Sequence, residues 1–371
     1  MLQRLRDLGS ALLGLLTPLA AQDTATAHTV FEHKSTLLSA FWGRDITMRA
    51  CVVLPPAAQP GEALPVCYSI HGFGGSHLSG VRRAPALVAA MAAGDEPRLA
   101  HVFLDASCPL GHHEFADSVN NGPWGQALTR ELVPALEAKF GIGGDAKARF
   151  LTGHSSGGWS SLWLQIHYPE SFDGTWSTAP DSVDFRDFTG VDIYTFDNAF
   201  TAPDGTPIQL VRRGSEWTKT IRQFVTEELQ RKSYGGQFMS FNAVFSPRGE
   251  DGRPLPLFDP ATGVIDRAVA TAWRRYDIAD VLRTRWTELA PRLQGKLAIY
   301  IGTLDTFRLE GACRLLAADL QRLGSDATIV FAEGRDHGSV LRPHPELWPD
   351  GLLRHIHRAM RARFDAATTA K

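Results

Sequence analysis

Short apolar runs alternate with helical stretches along most of the chain. The runs are rich in β-branched residues and lack polar alternation, which is typical of strands buried on both faces of a parallel sheet. Parallel strands joined by helices form right-handed βαβ units, so the pattern predicts an α/β fold with a mostly parallel central sheet. The predicted strands are, in chain order, LPVCYSI, LAHVFLDA, ARFLT, GTWST, KLAIYIG and ATIVFAE.

The helical stretches between these runs place apolar residues on one face. Leu128, Leu132, Leu136 and Phe140 recur every fourth residue and form a single apolar stripe. The predicted helices cover residues 79–93, 123–141, 156–168, 309–324 and 345–364.

The chain before the first buried strand is predicted to form an antiparallel hairpin. TVFEHKSTLLSAF and DITMRACVVLPP are rich in β-branched and aromatic residues, and a turn at Gly43 and Arg44 separates them. The hairpin is expected at the front edge of the sheet.

The alternating pattern is interrupted between Asp181 and Gly295. This region contains turn-rich sequence around helical segments at FVTEELQRK and 264–289. In α/β proteins, ligands bind beyond the carboxyl ends of the strands, and long insertions there cover the site. We therefore predict a catalytic domain of residues 22–181 and 296–371 with a lid or cap of residues 182–295.

The first 21 residues have the layout of a secretory signal peptide. Arg4 and Arg6 precede the apolar segment ALLGLLTPLA, and small residues follow at Ala20 and Ala21. The apolar segment is too short to span a bilayer. The sequence thus predicts export to the periplasm or the medium; an amphipathic helix that is retained is the alternative.

Composition and charge are those of an ordinary globular protein. The chain has 371 residues, 44% of them hydrophobic, and a formal net charge of −2. Neither sign of charge dominates, so we expect no nucleic-acid partner and no stable membrane insertion. The oligomeric state is left open.

The four cysteines leave two readings open. Cys51, Cys67, Cys108 and Cys313 fit an oxidising compartment if they pair, and Cys51 and Cys67 lie in neighbouring apolar runs. Equally, all four are compatible with buried thiols that pack as small hydrophobic groups.

A glycine-framed serine follows the predicted strand ARFLT. Residues 153–157, GHSSG, match the pattern G-x-S-x-G at a strand-to-helix junction. The glycines make room for a sharp turn, and the turn presents the Ser155 hydroxyl at a helix N-terminus. Ser155 is therefore the candidate nucleophile; a simple tight turn is the alternative.

A serine hydroxyl needs a histidine to accept its proton and a carboxylate to orient that histidine. Asp305 follows the strand KLAIYIG and His337 follows ATIVFAE, so both are expected at the same edge of the sheet as Ser155. The rival acid is Asp181, after the strand GTWST. Asp305 also has a structural alternative as a helix N-cap.

The loop SIHGFGG after the strand LPVCYSI is the candidate oxyanion loop. Glycines let its backbone approach a substrate carbonyl, and we predict the Phe73 N–H as one donor, with Gly74 as the reserve. The second predicted donor is the N–H of Ser156.

Further side chains are candidate substrate contacts, and no metal or organic cofactor is predicted. The candidates are His154, Trp159, Trp124 and Asp181; buried packing is the alternative for the tryptophans. His112, His113, Glu114 and Asp117 form a polar loop near the site. We do not predict a metal there, because no second cluster supplies further ligands.

With these motifs, the sequence resembles the esterase-D-like "putative esterase" branch of the α/β-hydrolase superfamily. That branch includes feruloyl, acetylxylan and enterobactin-type esterases. The matching segments are LPVCYSIHGFGG, FADSVNNGPWGQALTRELVPALEAKFG, RFLTGHSSGGWSSLWLQIHYPESFDGTWSTAPD, IYIGTLDTF and GRDHGSV. The resemblance implies a triad of Ser155, Asp305 and His337 with oxyanion donors at Phe73 and Ser156.

The sequence thus predicts an exported serine esterase that acts through an acyl-enzyme, on an ester linked to a carbohydrate or a siderophore. Two other readings share parts of this evidence. A serine peptidase or acyltransferase would use the same triad. A catalytically silent module would bind carbohydrate or protein through the insertion.

Overall fold

The computed structural model describes residues 27–59, 62–231 and 234–369. The predicted signal peptide lies outside these residues. The strands of the central sheet are β1 (Thr29–Lys34), β2 (Thr47–Val53), β3 (Val66–Ile70), β4 (Ala100–Leu104), β5 (Arg149–His154), β6 (Thr175–Thr178), β7 (Leu297–Gly302) and β8 (Thr328–Ala332).

These eight described strands form one sheet in the order β1-β2-β4-β3-β5-β6-β7-β8. The β1–β2 and β2–β4 pairs are antiparallel, and the pairs from β4 to β8 are parallel. The carboxyl ends of β3, β5, β6, β7 and β8 therefore meet at one edge. The predicted α/β fold with a mostly parallel sheet is confirmed.

Helices cover both faces of this sheet. They are α1 (Thr36–Trp42), α2 (Leu78–Ala93), α3 (Trp124–Ala127), α4 (Val133–Phe140), α5 (Ser156–His167), α6 (Ile221–Arg231), α7 (Gly236–Phe245), α8 (Arg267–Trp273), α9 (Ile278–Leu293), α10 (Leu309–Arg322) and α11 (Leu352–Thr369). A π-helical turn, Leu128–Leu132, joins α3 to α4.

Both faces of the sheet are buried, as the apolar runs predict. Successive residues of β3 and β5 point into different hydrophobic clusters. Tyr68 and Leu151 belong to one cluster, and Cys67 and Phe150 belong to the other. The strands are therefore sandwiched between two layers of helices.

The predicted front hairpin is only partly correct. The second half of TVFEHKSTLLSAF forms α1 instead of a strand, because Ser35 caps it: the Ser35 hydroxyl accepts a hydrogen bond from the Leu38 N–H at 3.1 Å. Glu131 accepts a hydrogen bond from the Leu37 N–H at 3.0 Å and holds the same end.

The insertion contributes side chains to the hydrophobic core. Aromatic side chains of the insertion share one hydrophobic cluster with Phe150 of β5 and Trp159 of α5. Its last helix, α9, packs on α5, so it belongs to the layer that covers the sheet. The predicted helix over 264–289 is two helices, since the Asp277 side chain caps α9 by accepting from the Asp280 N–H.

All four cysteines are free thiols. Cys51, Cys67 and Cys313 are buried and Cys108 is half-buried, so the buried-thiol reading describes the structure better than pairing. Within the described part of the chain, no helix is long and apolar enough to cross a membrane.

A buried ion pair fixes the start of β5, the strand that leads to Ser155. Glu137 on α4 accepts two hydrogen bonds from the Arg149 guanidinium, both at 2.7 Å. The Tyr68 hydroxyl and the Gly144 N–H also donate to this carboxylate, each at 3.0 Å. Glu137 is 7% exposed, so water has little access to its carboxylate, and the loss of these partners costs stability.

We expect Glu137→Ala to lower the free energy of unfolding by about 3–5 kcal/mol, because Arg149 and Tyr68 lose their buried partner. Urea unfolding followed by circular dichroism measures this. The control is Glu32→Ala, which breaks the exposed pair of Glu32 with Arg49 and should change stability by no more than about 0.5 kcal/mol. Equal effects of the two changes would contradict the prediction.

Candidate active site

Ser155 lies at a strained turn between β5 and α5. Its backbone angles are φ 60° and ψ −125°, outside the regions that residues with side chains normally occupy. Its position directly before Ser156, the first residue of α5, directs its hydroxyl to the helix N-terminus.

Close backbone approach explains the two glycines around this serine. A Cβ on Gly153 would lie 2.0 Å from the Gly157 carbonyl oxygen. A Cβ on Gly157 would lie 2.1 Å from the Ile70 carbonyl oxygen at the end of β3. Only glycine fits at either position, as the sequence motif requires.

His337 and Asp305 are in contact beyond the ends of β8 and β7. His337 Nδ1 lies 2.7 Å from Asp305 Oδ2. The other carboxylate oxygen accepts from the Phe307 N–H at 2.9 Å, so the same side chain also shapes the turn before α10. Asp305 is fully buried. Asp305 thus contacts both the His337 ring and the backbone of its own loop, but it is not the N-cap of α10, which is Arg308.

The environment of His337 favours its charged form. Burial opposes that charge, but nearby carboxylates, above all Asp305 through its charge and its hydrogen bond, together raise the pKa of His337. Asp181 and Asp336 add to the effect.

Asp181, the rival acid, contacts the serines instead of His337. Ser155 Oγ donates to Asp181 Oδ1 at 3.3 Å, and Ser156 Oγ donates to Oδ2 at 2.6 Å. Burial and the nearby Glu114 carboxylate raise the pKa of Asp181 to about 6. Among the described residues, no hydrogen bond joins Ser155 Oγ to His337 in this conformation.

Two ring contacts nevertheless put His337 beside Ser155. The His337 ring lies 4.6 Å from the ring of His154, the residue that precedes Ser155. It also lies 5.1 Å from the ring of Phe307, which lines the same cavity as Ser155. These contacts place the His337 ring next to the residue before Ser155 and next to a wall residue of the cavity at Ser155.

The loop after β3 contacts Ser155. A Cβ on Gly72 would lie 3.1 Å from Ser155 Cβ, so the backbone of the loop passes directly over the serine. Phe73 and Gly74 follow inside a turn closed by the Gly75 N–H donating to the Gly72 carbonyl at 3.0 Å. Ser156 is the first residue of α5, where the N–H has no acceptor within the helix.

Other histidines near the site have structural partners. His71 Nε2 accepts from the Ala106 N–H at 2.9 Å, which fixes the ring beneath the loop. His154 Nδ1 lies 3.0 Å from the Thr178 hydroxyl. Burial, together with the adjacent His337, lowers the pKa of His154 to about 3, so this ring is neutral.

Two predicted substrate contacts are not at the site. Trp159 is 1% exposed, stacks on Trp163 at 5.0 Å and packs against Phe245, so it belongs to the core. Trp124 is 6% exposed and stacks on His113 at 3.7 Å. Neither ring lines the cavity at Ser155, because each one packs against other side chains. This placement corrects the substrate-contact prediction for these two tryptophans.

The polar loop of residues 111–117 lies against the oxyanion loop. His112 Nε2 is 3.0 Å from the His71 carbonyl, and Glu114 lies 3.3 Å from His112 Nδ1 and accepts from the Ser160 hydroxyl at 2.7 Å. Asp117 caps α3 by accepting from the Gly125 N–H at 2.9 Å. These contacts hold the polar loop in place beside the candidate active site.

A narrow, mostly apolar cavity adjoins Ser155. The insertion supplies most of its walls, and Phe307 and Leu309 close it from the β7 side. Sequence reasoning missed the lining residues from the insertion because the insertion has no periodic pattern. One of them is Gln237, whose amide donates to Asp181 at 3.2 Å. The lining residues from the insertion include Phe188, Leu210, Phe224, Gln237, Phe238 and Phe241.

The sheet order and the strained serine between β5 and α5 define an α/β hydrolase. The model of the family described as "Putative esterase" matches residues 39–277, more than half of the chain. The chain belongs to this family and is a carboxylic ester hydrolase.

Solved structures of three hydrolases share the fold at 12% identity. A ferulic acid esterase superposes with a TM-score of 0.51 over 84% of this chain and 91% of its own. A fluorophosphonate-binding serine hydrolase and an S-formylglutathione hydrolase, both from Staphylococcus aureus, each superpose with a TM-score of 0.50 over 91% of this chain and 98% of their own. No curated protein matches the sequence significantly.

The environment of His337 predicts its titration. In an NMR titration, the His337 ring should lose its proton above the ordinary histidine pKa of about 6.5, and His154 should stay neutral down to about 3. Asp305→Asn removes the main favourable charge and should lower the His337 midpoint. Asp336→Asn is the control and should lower it less. A midpoint that Asp305→Asn leaves unchanged would contradict the assignment of the partner.

Proposed function

We propose that the chain is an exported serine esterase in which Ser155 is the nucleophile, His337 the base and Asp305 the acid. The observation that carries the proposal is the 2.7 Å contact of Asp305 with His337, whose ring lies 4.6 Å from that of His154, the residue before the strained Ser155. The close approach of the candidate oxyanion loop to Ser155 at Gly72 supports the proposal.

In the proposed reaction, Ser155 Oγ attacks the ester carbonyl while its proton passes to His337 Nε2. The carbonyl oxygen becomes an oxyanion that the N–H groups of Phe73 and Ser156 stabilise, with Gly74 as the alternative donor. His337 then protonates the departing alcohol, and an acyl-enzyme remains. Water activated by His337 attacks the acyl-enzyme, releases the acid and restores Ser155.

The first step requires the Ser155 hydroxyl to leave Asp181. The hydrogen bond to Asp181 is long, at 3.3 Å, and the Asp181 carboxyl retains the stronger contacts with Ser156 and Gln237. Catalytic hydrogen bonds often form only in the substrate complex. A rotation of the Ser155 side chain toward His337 on substrate binding is therefore part of the proposal.

The cavity indicates the kind of acyl group. Phenylalanine and leucine side chains form most of its wall, which favours an apolar or aromatic acyl chain over a charged or sugar-like one. The alcohol is proposed to be a carbohydrate or a siderophore-type polyol outside this cavity. Export rests on the leader sequence of residues 1–21 alone.

Fluorophosphonate labelling of the purified protein tests the nucleophile. Wild type should be labelled at Ser155 and should hydrolyse p-nitrophenyl esters, with apolar acyl chains preferred over acetyl. Ser155→Ala should lose both properties. The control is Ser161→Ala, a buried serine on the same helix whose hydroxyl only bonds the Gly158 carbonyl. Labelling that survives Ser155→Ala would refute the proposed nucleophile.

The acid is tested by comparing Asp305→Asn with Asp181→Asn. The first removes the charge that stabilises the protonated His337 and should lower kcat by about 10⁴-fold. The second changes a carboxyl that contacts serines but not His337, and should lower kcat less than about tenfold. A collapse of turnover in Asp181→Asn with activity retained in Asp305→Asn would reverse the assignment.

A further inference from the structure

A cluster of soft and imidazole ligand groups lies inside the protein, away from the esterase site. Cys67 on β3 and His101 on β4 are direct partners in the parallel register, so their side chains leave the same face of the sheet side by side. His357 reaches them from α11, which covers that face. Cys67 is level with Phe150, five residues before Ser155, which separates the cluster from the nucleophile by roughly 16 Å.

The three ligand atoms are close enough to share one ion. The Cys67 sulfur and one ring nitrogen from each histidine all lie within 4.8 Å of one another. Bonds of about 2.0–2.3 Å to a common centre then require shifts of only about 1 Å. All three residues are buried, with exposed fractions of 1%, 1% and 4%.

An unpartnered nitrogen points to a missing ligand. His101 Nε2 is buried and has no hydrogen-bond partner, although a buried polar atom left alone is costly. The two histidine rings approach each other at 4.7 Å and 72°, an edge contact that leaves this nitrogen unsatisfied. A metal ion would use its lone pair.

His357 is held as histidine ligands usually are. Its Nδ1 lies 3.0 Å from Glu96 Oε2, and this contact leaves Nε2 as the free nitrogen of the ring. A carboxylate behind the ring orients a metal-binding imidazole and increases its basicity. Glu96 is itself 10% exposed at its side chain, so the arrangement is protected from water.

The surrounding charge selects a monovalent ion. Arg354 lies 3.5 Å from Glu96, and the charge of the half-buried Arg83 acts on both Glu96 and Cys67. One carboxylate thus already faces two guanidinium groups. A monovalent ion with the Cys67 thiolate adds no net charge here, whereas a divalent ion adds one positive charge to a buried, cationic region.

We propose that Cys67, His101 and His357 form a buried site for a soft monovalent metal ion, Cu(I), with Glu96 positioning His357. One thiolate and two imidazoles suit this ion. The Cys67 proton leaves to solvent as the sulfur–metal bond forms.

Anaerobic titration of the full-length, reduced protein with Cu(I) in competition with bicinchoninate tests the site. We expect one Cu(I) per chain, a rise in Tm on binding, and X-ray absorption showing one sulfur and two nitrogen ligands. Cys67→Ala and His357→Gln should each weaken Cu(I) binding at least about 100-fold, and Glu96→Gln about 10- to 100-fold.

Cys51→Ala and Cys108→Ala are the controls. Cys51 is a second buried thiol and Cys108 is the half-buried one, and both variants should bind Cu(I) as wild type does. His101→Gln provides a further variant if Cys67→Ala fails to fold. Wild-type affinity in all the cluster variants, or loss of binding in Cys108→Ala alone, would overturn the proposal. Tighter binding of Zn(II) than of Cu(I) in a parallel titration would overturn the choice of ion.

Discussion

The approach of the β5–α5 turn to the end of β3 is the constraint on which the rest of the site depends. Gly157 sits against the Ile70 carbonyl with no room for a Cβ, and Gly153 sits equally close to Gly157 itself. This contact lets β3, β5 and α5 meet at one point. The strained backbone of Ser155 persists because the packing around it leaves no alternative path for the chain.

Two carboxylates near this turn have different surroundings and different contacts. Asp305 divides its oxygens between the His337 ring and the backbone of its own loop. Asp181 is enclosed with Glu114 and two serine hydroxyls, and burial together with Glu114 raises its pKa to about 6. The two carboxylates differ because of where they lie in the fold. Asp305 lies beyond β7, near His337, whereas Asp181 follows β6 and contacts the N-terminus of α5.

The order of strands and the chemistry at their ends could be predicted from the sequence, because buried parallel strands have a strong apolar pattern and end at a common edge. The placement of Asp305 and His337 after two such strands follows from that pattern. The contact of Ser155 with Asp181 could not be predicted, since it depends on side-chain rotation. The helix at Thr36–Trp42 was missed because its cap, Ser35, sits inside a β-like composition. The sequence could not place Trp159, because a tryptophan in the core and one in a binding cleft leave the same signal in the sequence.

The residues of the insertion connect the cavity to the core. Phe238 and Phe241 line the space beside Ser155, and they also pack in the cluster that contains Phe245, Trp273 and Trp159. The side chains that line the cavity therefore also stabilise the fold. A change in the shape of this wall is therefore also a change in the packing of the core, so a remodelled cavity requires compensating stabilisation elsewhere in the chain.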